Sequence, residues 1–508
     1  MSETVLPLHV YLASEAETQQ LGADLALALK PGDCVALDGD LGAGKSTLCR
    51  ALLRNLADDP ELEVPSPTFT LVQNYDLRIP VAHFDLYRLS DSSELDELGF
   101  PEALNSGICL VEWPQRAVDA LPRDRLSLVF SFEKEGGRTV ELSAPPAVLD
   151  RVKRSLAIRA FLNANGYLKA ERRHLTGDAS SRAYEHVYPA DGSDRLVLMD
   201  APRKQQGAIL PNGKTYAQTV HLAEDVYPFI AVANALRSHG FSAPGIVRSA
   251  GEEGLLLLED LGTGSVLDAD GHPIAERYRA SAMCLAALHD TPFEREVALG
   301  EGRSHSIPDF DRTAMQTEVD LLLDWHLPWN RNGKEATQEE RAAYRQIWGS
   351  LFDRLTSAET TLVMRDFHSP NIIWREDKTG HERVGLIDFQ DAMIGPSAYD
   401  VVSLVQDARV TIGRPLMEQL IADYMLARTK ADFRRDQFME AWAIMSAQRA
   451  CKLNGLWVRL KQRDGKDGYM RHMPRTLWHL AVAFEHPVLA PLHAWCTKAG
   501  IETVESAP

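Results

Sequence analysis

One stretch constrains this chain more than any other: Gly39-Asp40-Leu41-Gly42-Ala43-Gly44-Lys45-Ser46 fits GxxxxGK[ST] at every position. The run Cys34 to Asp38 before it reads as a buried strand, and Ser46 to Leu56 after it reads as a helix. Strand, glycine loop and helix in that order make a phosphate cradle. Gly39, Gly42, Ala43 and Gly44 are small enough for backbone N–H groups to turn inward on an anion. Lys45 reaches the outer phosphates of ATP, the Ser46 hydroxyl suits Mg2+, and the helix start at Ser46 and Thr47 adds partial positive charge. Such a cradle also needs an acid on another strand to hold the metal or orient water. Two candidates are present: Asp85 in His83-Phe84-Asp85-Leu86-Tyr87-Arg88, and Glu112, which follows the apolar run Ile108 to Val111. Arg125 to Phe132 and Arg138 to Leu142 read as a closing hairpin, which completes an α/β pattern of domain size.

A second constellation lies far downstream. Arg365-Asp366-Phe367-His368-Ser369-Pro370-Asn371 follows the apolar Leu362 to Met364 and has the spacing of a kinase catalytic loop. In that loop the Asp takes the proton of the acceptor hydroxyl and the Asn binds Mg2+. Val384-Gly385-Leu386-Ile387 then delivers Asp388 to the metal. The gap between Asn371 and Asp388 suits two short strands joined by a turn at Lys378 to Gly380. Upstream, Glu185 to Tyr188 and Arg195 to Met199 read as strands, Ala223 to His239 as a long helix, and Gly254 to Leu258 as a strand. From Ala275 the pattern is mostly helical. A small strand-rich lobe followed by a large helical lobe is the order of a protein-kinase-like α+β fold. The strand that usually carries a phosphate-gripping Lys has Met199 instead. Arg182 and Lys204 are candidate substitutes, and Glu224, placed on the long helix, would be the partner of the missing Lys.

The length of 508 residues allows two to four domains. The expected division is 1–146 for an N-terminal P-loop NTPase, 147–156 for a linker after Ser143-Ala144-Pro145-Pro146, and 157–508 for the kinase-like part. The basic stretch Arg151 to Arg159 reads as a solvated linker helix. Trp325, Trp329 and Tyr399 read as core, and His368 as either a site residue or a structural one. Net charge is −18, and residues 1–150 carry 11 Lys and Arg against 25 Asp and Glu. An acidic front repels a polyphosphate, so it is expected to work through protein partners. The six cysteines form no CxxC pair, and no secretory leader or membrane-spanning run is read. A cytoplasmic protein is expected.

The front motifs, continued through Ser66-Pro67-Thr68-Phe69-Thr70-Leu71, Glu97-Leu98-Gly99-Phe100 and Val111-Glu112-Trp113-Pro114, resemble the TsaE family over roughly residues 10–145. The resemblance implies an ATPase that supports threonylcarbamoyl modification of tRNA adenosine 37. It implies partners of the TsaB and TsaD type, with tRNA met only indirectly. It also implies a switch-like role for the Thr68 segment and metal-related roles for Asp85 and Glu112. Residues 155–480 resemble the aminoglycoside phosphotransferase superfamily. Thr176 to Arg182, Val197 to Pro202, Gly240 to Pro244, Leu258 to Gly262, Asp324 to Pro328, Gly395 to Asp400 and Gln448-Arg449 narrow the resemblance to the N-acetylmuramate/N-acetylglucosamine anomeric kinases. By that resemblance Asp366 is the base, Asn371 and Asp388 hold metal, and Glu259 to Leu261 form the hinge beside adenine. The turn with Gly177, Ser180 and Arg182 covers the phosphates, and the acceptor is an amino sugar. Two alternatives stay open: a different hydroxyl acceptor, or a non-catalytic ATP-sensing pseudokinase that regulates the front.

Overall fold

The computed structural model describes residues 6–134, 136–176, 182–203, 207–300 and 302–507. The chain divides into two compact units, residues 1–199 and 200–508.

The first unit is built on a seven-stranded sheet in the order β1-β7-β6-β2-β5-β4-β3. The strands are β1 (Leu8–Leu12), β2 (Cys34–Gly39), β3 (Val72–Tyr75), β4 (Val81–Asp85), β5 (Ile108–Glu112), β6 (Leu126–Phe132) and β7 (Arg138–Ser143). The centre is parallel (β6, β2, β5, β4), and β3, β7 and β1 are antiparallel additions. Buried parallel strands read as continuous apolar runs, which is why β2 and β5 were legible. Alternate residues feed two cores. Val81, Ile108 and Leu110 pack with Leu48 and Leu52 on one side, and Phe84, Cys109 and Val111 pack with Phe100 on the other. Helix α1 (Glu15–Ala28) is capped by Ser14, and α2 (Lys45–Ala57) starts directly on the glycine loop.

The stretch 147–156 is not a solvated linker. It is the first half of a helix, Pro146–Ala164, that buries Leu149, Val152 and Ser155. Pro146 starts it, as Pro does in a first turn. Arg151 bonds the carbonyl of Ala28 and pairs with Asp33, and Arg159 is buried. Beyond the helix, β8 (Glu171–Leu175), β9 (Ala183–Tyr188) and β10 (Leu196–Asp200) follow. β8 was not legible, because Glu171-Arg172-Arg173-His174 has no apolar alternation. Its Arg172 is inward-facing and held by charge. The guanidinium forks onto Glu185 at 2.7 and 2.8 Å and reaches Asp24 at 2.8 Å, while Arg159 grips the same Asp24 at 2.8–3.2 Å. Two guanidiniums and two carboxylates share one buried, neutral network.

Removing one member of a buried pair strands the others at a cost of about 3–5 kcal/mol. Asp24→Ala is therefore expected to lower the unfolding free energy by about that amount, read by urea titration. A loss under about 1 kcal/mol would place the network in the class of weak surface pairs.

The second unit opens with β11 (Ile246–Ala250) and β12 (Leu255–Glu259), which pair antiparallel. The long helix starts at Tyr227, not Ala223, because Pro228 fits only a first turn. Glu224 thus lies before the helix and accepts from Gln218. The remainder is largely helical, with a central helix Arg435–Asp464. The short strands Ile372–Trp374 and Val384–Leu386 pair as expected. Tyr399 is fully buried, and Trp325 packs against a core that includes Trp457, whereas Trp329 is 40% exposed. No described helix is long and apolar enough to cross a membrane.

Candidate active sites

The front site is assembled by register. β4 and β5 pair Asp85 with Glu112, and β2 pairs Leu37 with Glu112, so both acids stand at the strand ends beside the glycine loop. Lys45, Asp85 and Glu112 are all buried. With Gly42, Gly44, Ser46, Thr47, Ser66, Thr68, Trp113 and Arg138 they line a cavity of about 340 Å³. Ser46 Oγ donates to Glu112 Oε2 at 2.9 Å, and His83 Nε2 meets Glu112 Oε1 at 3.0 Å. The Lys45 ammonium donates to the carbonyls of Gly39 (2.6 Å) and Asp40 (3.0 Å) and lies 3.9 Å over the Trp113 ring. Burial pushes its pKa down, opposed by the nearby Glu112 and Asp38.

Asp85 is differently employed. Its Oδ2 accepts from Thr68 Oγ1 at 2.7 Å and Ser66 Oγ at 3.3 Å, and its Oδ1 from the Tyr87 N–H at 3.0 Å. It ties the 66–68 segment to the sheet. The pair best placed for a hard cation is therefore Ser46 with Glu112, a hydroxyl and a carboxylate already in contact. Arg138 was missed. From β7 it donates to the Ala43 carbonyl at 2.8 Å, and its guanidinium lies against Gly44. Gly44 has φ +112°, so its conformation favours glycine. No local signal in the sequence linked Arg138 to the loop, because the contact spans 95 residues.

The rear site is carried by two loops held under strain. Arg365 (φ 69°) and Asp388 (φ 58°) both occupy the left-handed region that non-glycine residues avoid. Asp400 fixes the first loop by accepting from the N–H groups of Met364 (2.6 Å) and Arg365 (2.9 Å), and Asp407 accepts from the Ser369 N–H at 2.9 Å. Arg365 is buried against Glu318, which also pairs with Lys452 at 2.8 Å. Asp366 is part-exposed, with Arg449 at 3.5 Å from Oδ1. Burial raises its pKa, but the cations Arg449 and Lys452 overcome that and hold the carboxyl well below its usual range. Asn371 Nδ2 donates to the Asp366 carbonyl at 2.9 Å and lies 3.4 Å from Asp388 Oδ2. An amide and a carboxylate so placed fit an oxygen-seeking divalent cation. Gln390 donates to Asp388 Oδ1 at 2.9 Å, a contact the motif did not predict.

Other expected residues fall differently. The Glu259 carboxylate is taken by Arg237 (2.8 Å) and Arg375 (3.5 Å), which leaves only its backbone and that of Leu261 for a hinge. Met199 is buried and brings no cation. Gly177, Ser180 and Lys204 lie outside the described residues, and Arg182 sits at their edge. His368 faces Arg409 at 3.4 Å, and burial, helped by the positive charges of Arg409 and Arg449, pulls its pKa down to about 4. It is neutral near pH 7.

The fold and sites define a nucleoside-triphosphate-cradling α/β domain joined to a kinase-fold phosphotransferase. The profile described as "Threonylcarbamoyl adenosine biosynthesis protein TsaE" matches residues 12–140, and that of the "Phosphotransferase enzyme family" matches residues 171–438. The chain is 32% identical over 355 residues to the N-acetylmuramate/N-acetylglucosamine kinase of Caulobacter vibrioides, covering 68% of this chain and 96% of that protein. It is 42% identical over 105 residues to the tRNA threonylcarbamoyladenosine biosynthesis protein TsaE of Rickettsia typhi, covering 20% of this chain and 72% of that protein. The TsaE of Rickettsia felis is 45% identical over 105 residues, 20% of this chain and 61% of that protein. The chain belongs to the phosphotransferase enzyme family by its rear part and to the TsaE family by its front part. Asp24 lies in the stretch matched by the first profile, and Arg172 and Glu185 in that matched by the second. The buried ion network thus joins both family stretches inside the unit 1–199.

Proposed function

We propose that the rear part transfers the γ-phosphoryl group of ATP to the anomeric hydroxyl of N-acetylmuramate or N-acetylglucosamine, in cell-wall recycling. The constellation of Asp366, Asn371 and Asp388 carries this reading, and the similarity to the Caulobacter kinase over nearly its whole length supports the acceptor. Asp366, with its charge secured by Arg449 and Lys452, accepts the hydroxyl proton and aims the oxygen. Asn371 and Asp388 are the residues that hold Mg2+, which when bound neutralises charge on the phosphates. The backbone from Glu259 to Leu261 lies beside adenine.

The front part hydrolyses ATP in support of threonylcarbamoyl modification of tRNA, with TsaB- and TsaD-type proteins as partners and tRNA reached through them. Gly39, Gly42, Ala43, Gly44, Lys45 and Thr47 cradle the phosphates. Ser46 and Glu112 hold Mg2+, and Asp85 acts beside them through the Thr68 segment. The functional division is 1–146 and 157–508, even though the helix between them is packed. All six cysteines are unpaired, which supports a cytoplasmic setting.

A panel of hydroxyl acceptors with labelled ATP tests the rear assignment. Label is expected on the two amino sugars and absent from choline, homoserine and aminoglycosides. The buried Met199 favours a second reading, a pseudokinase; nucleotide binding with no labelled product on any acceptor would establish it.

A further inference from the structure

Behind the front site, the Glu112 carboxylate is joined by two side chains, Cys49 and His83, to which the proposed hydrolysis assigns no role. Cys49, His83 and Glu112 each present one ligand atom, and the three atoms lie within 4.8 Å of one another. All three residues are buried. Their convergence follows from the fold. Cys49 is on α2, nearly one turn beyond Ser46. His83 is two residues before Asp85 on β4, and Leu110 opposite it is two before Glu112 on β5, so His83 and Glu112 project to the face that α2 covers. The Glu112 carboxylate is split between two directions: Oε2 accepts from Ser46, and Oε1 meets His83. The other imidazole nitrogen, Nδ1, is buried with no hydrogen-bond partner among the described residues.

The donor chemistry is selective. Mg2+ takes oxygen ligands. A thiolate, an imidazole and a carboxylate together are a set for Zn2+, which accepts three protein ligands and leaves a fourth position open. Tetrahedral zinc bonds of about 2.0–2.3 Å set ligand atoms about 3.3–3.7 Å apart; His83 Nε2 and Glu112 Oε1 already stand at 3.0 Å, and no separation in the group exceeds 4.8 Å. We infer that Cys49, His83 and Glu112 form a Zn2+ site whose occupancy switches off the front ATPase. The inhibition follows because an ion bound on Oε1 draws the charge and position of the Glu112 carboxylate away from the Ser46 side that Oε2 serves; that consequence rests on the metal-holding role proposed for Glu112, whereas the binding site itself does not.

Co2+ is the probe for binding, because a cobalt–thiolate bond has a charge-transfer band. Titration of the full chain with Co2+ is expected to give that band at one equivalent, and added Zn2+ to bleach it. Cys49→Ser should lose the band and raise the Zn2+ concentration needed to inhibit hydrolysis by about tenfold or more, with basal hydrolysis unchanged. Cys49→Ala serves the same purpose if the serine hydroxyl is not tolerated in this buried position. The other five cysteines are also buried and unpaired, so they are the internal control. A missing band in the wild-type chain, or an equal band in either Cys49 variant, overturns the site. An intact Cys49-dependent band without any Zn2+ inhibition would keep the site and overturn the role given to Glu112.

Discussion

Asp366→Asn is expected to lower phosphate transfer to the amino sugar by about 10³-fold, within the 10²–10⁴ contributed by a positioned general base. The substitution keeps the size of the side chain and removes its ability to take the hydroxyl proton. The fold should tolerate it, since Asp366 is part-exposed and the Arg449 that pairs with it also bonds the Arg365 carbonyl. The loop is held from outside by Asp400 and Asp407, neither of which contacts the Asp366 carboxylate. Nucleotide affinity should therefore be retained while kcat falls. Transfer at the wild-type rate would show that the proton goes elsewhere and that Asp366 is not the base.

Lys45→Ala is expected to lower front-domain hydrolysis by about 10²–10³-fold, the scale of losing one preorganised charge at a developing anion. Its effect on stability should be small. The Lys45 ammonium has no carboxylate at hydrogen-bond distance among the described residues; it is held by two carbonyls and the Trp113 face, and burial already disfavours its charge. Removing it relieves that desolvation and leaves carbonyls that can be reached by water from the open cavity. Sugar phosphorylation should be untouched. A variant that unfolds at lower denaturant, with both activities lost together, would mean that Lys45 has a structural role instead.

The two sites differed in how much of them could be read from sequence. The glycine loop, Lys45 and Ser46 are contiguous, so their geometry is local and legible. Glu112 was found because a buried parallel strand is a continuous apolar run and the acid ends it. Arg138 and His83 were not, because their contacts to Ala43 and Glu112 depend on strand order, which no single segment encodes. The same reason hid the network of Asp24, Arg159, Arg172 and Glu185. Charged residues at 151–159 read as solvated, since the burial of Arg159 depends on a carboxylate 135 residues away. In the rear part the motif gave Asp366, Asn371 and Asp388 but not the carboxylates of Asp400 and Asp407, which stabilise the loop from a later helix and turn.

The network also bears on why both activities share a chain. The first strands of the phosphotransferase stretch are tied by charge to α1, which packs beside the glycine-loop helix, so a cut at residue 146 would separate partners of a buried ion cluster. Two separate chemistries are nevertheless expected to operate. The most direct test is to follow, in the purified full chain, phosphate released to water and phosphate transferred to N-acetylmuramate in the wild type, Lys45→Ala and Asp366→Asn. The expected result is a crossed pattern, in which each variant loses one product and keeps the other. Loss of both products in either folded variant, or of neither in both, would contradict the account.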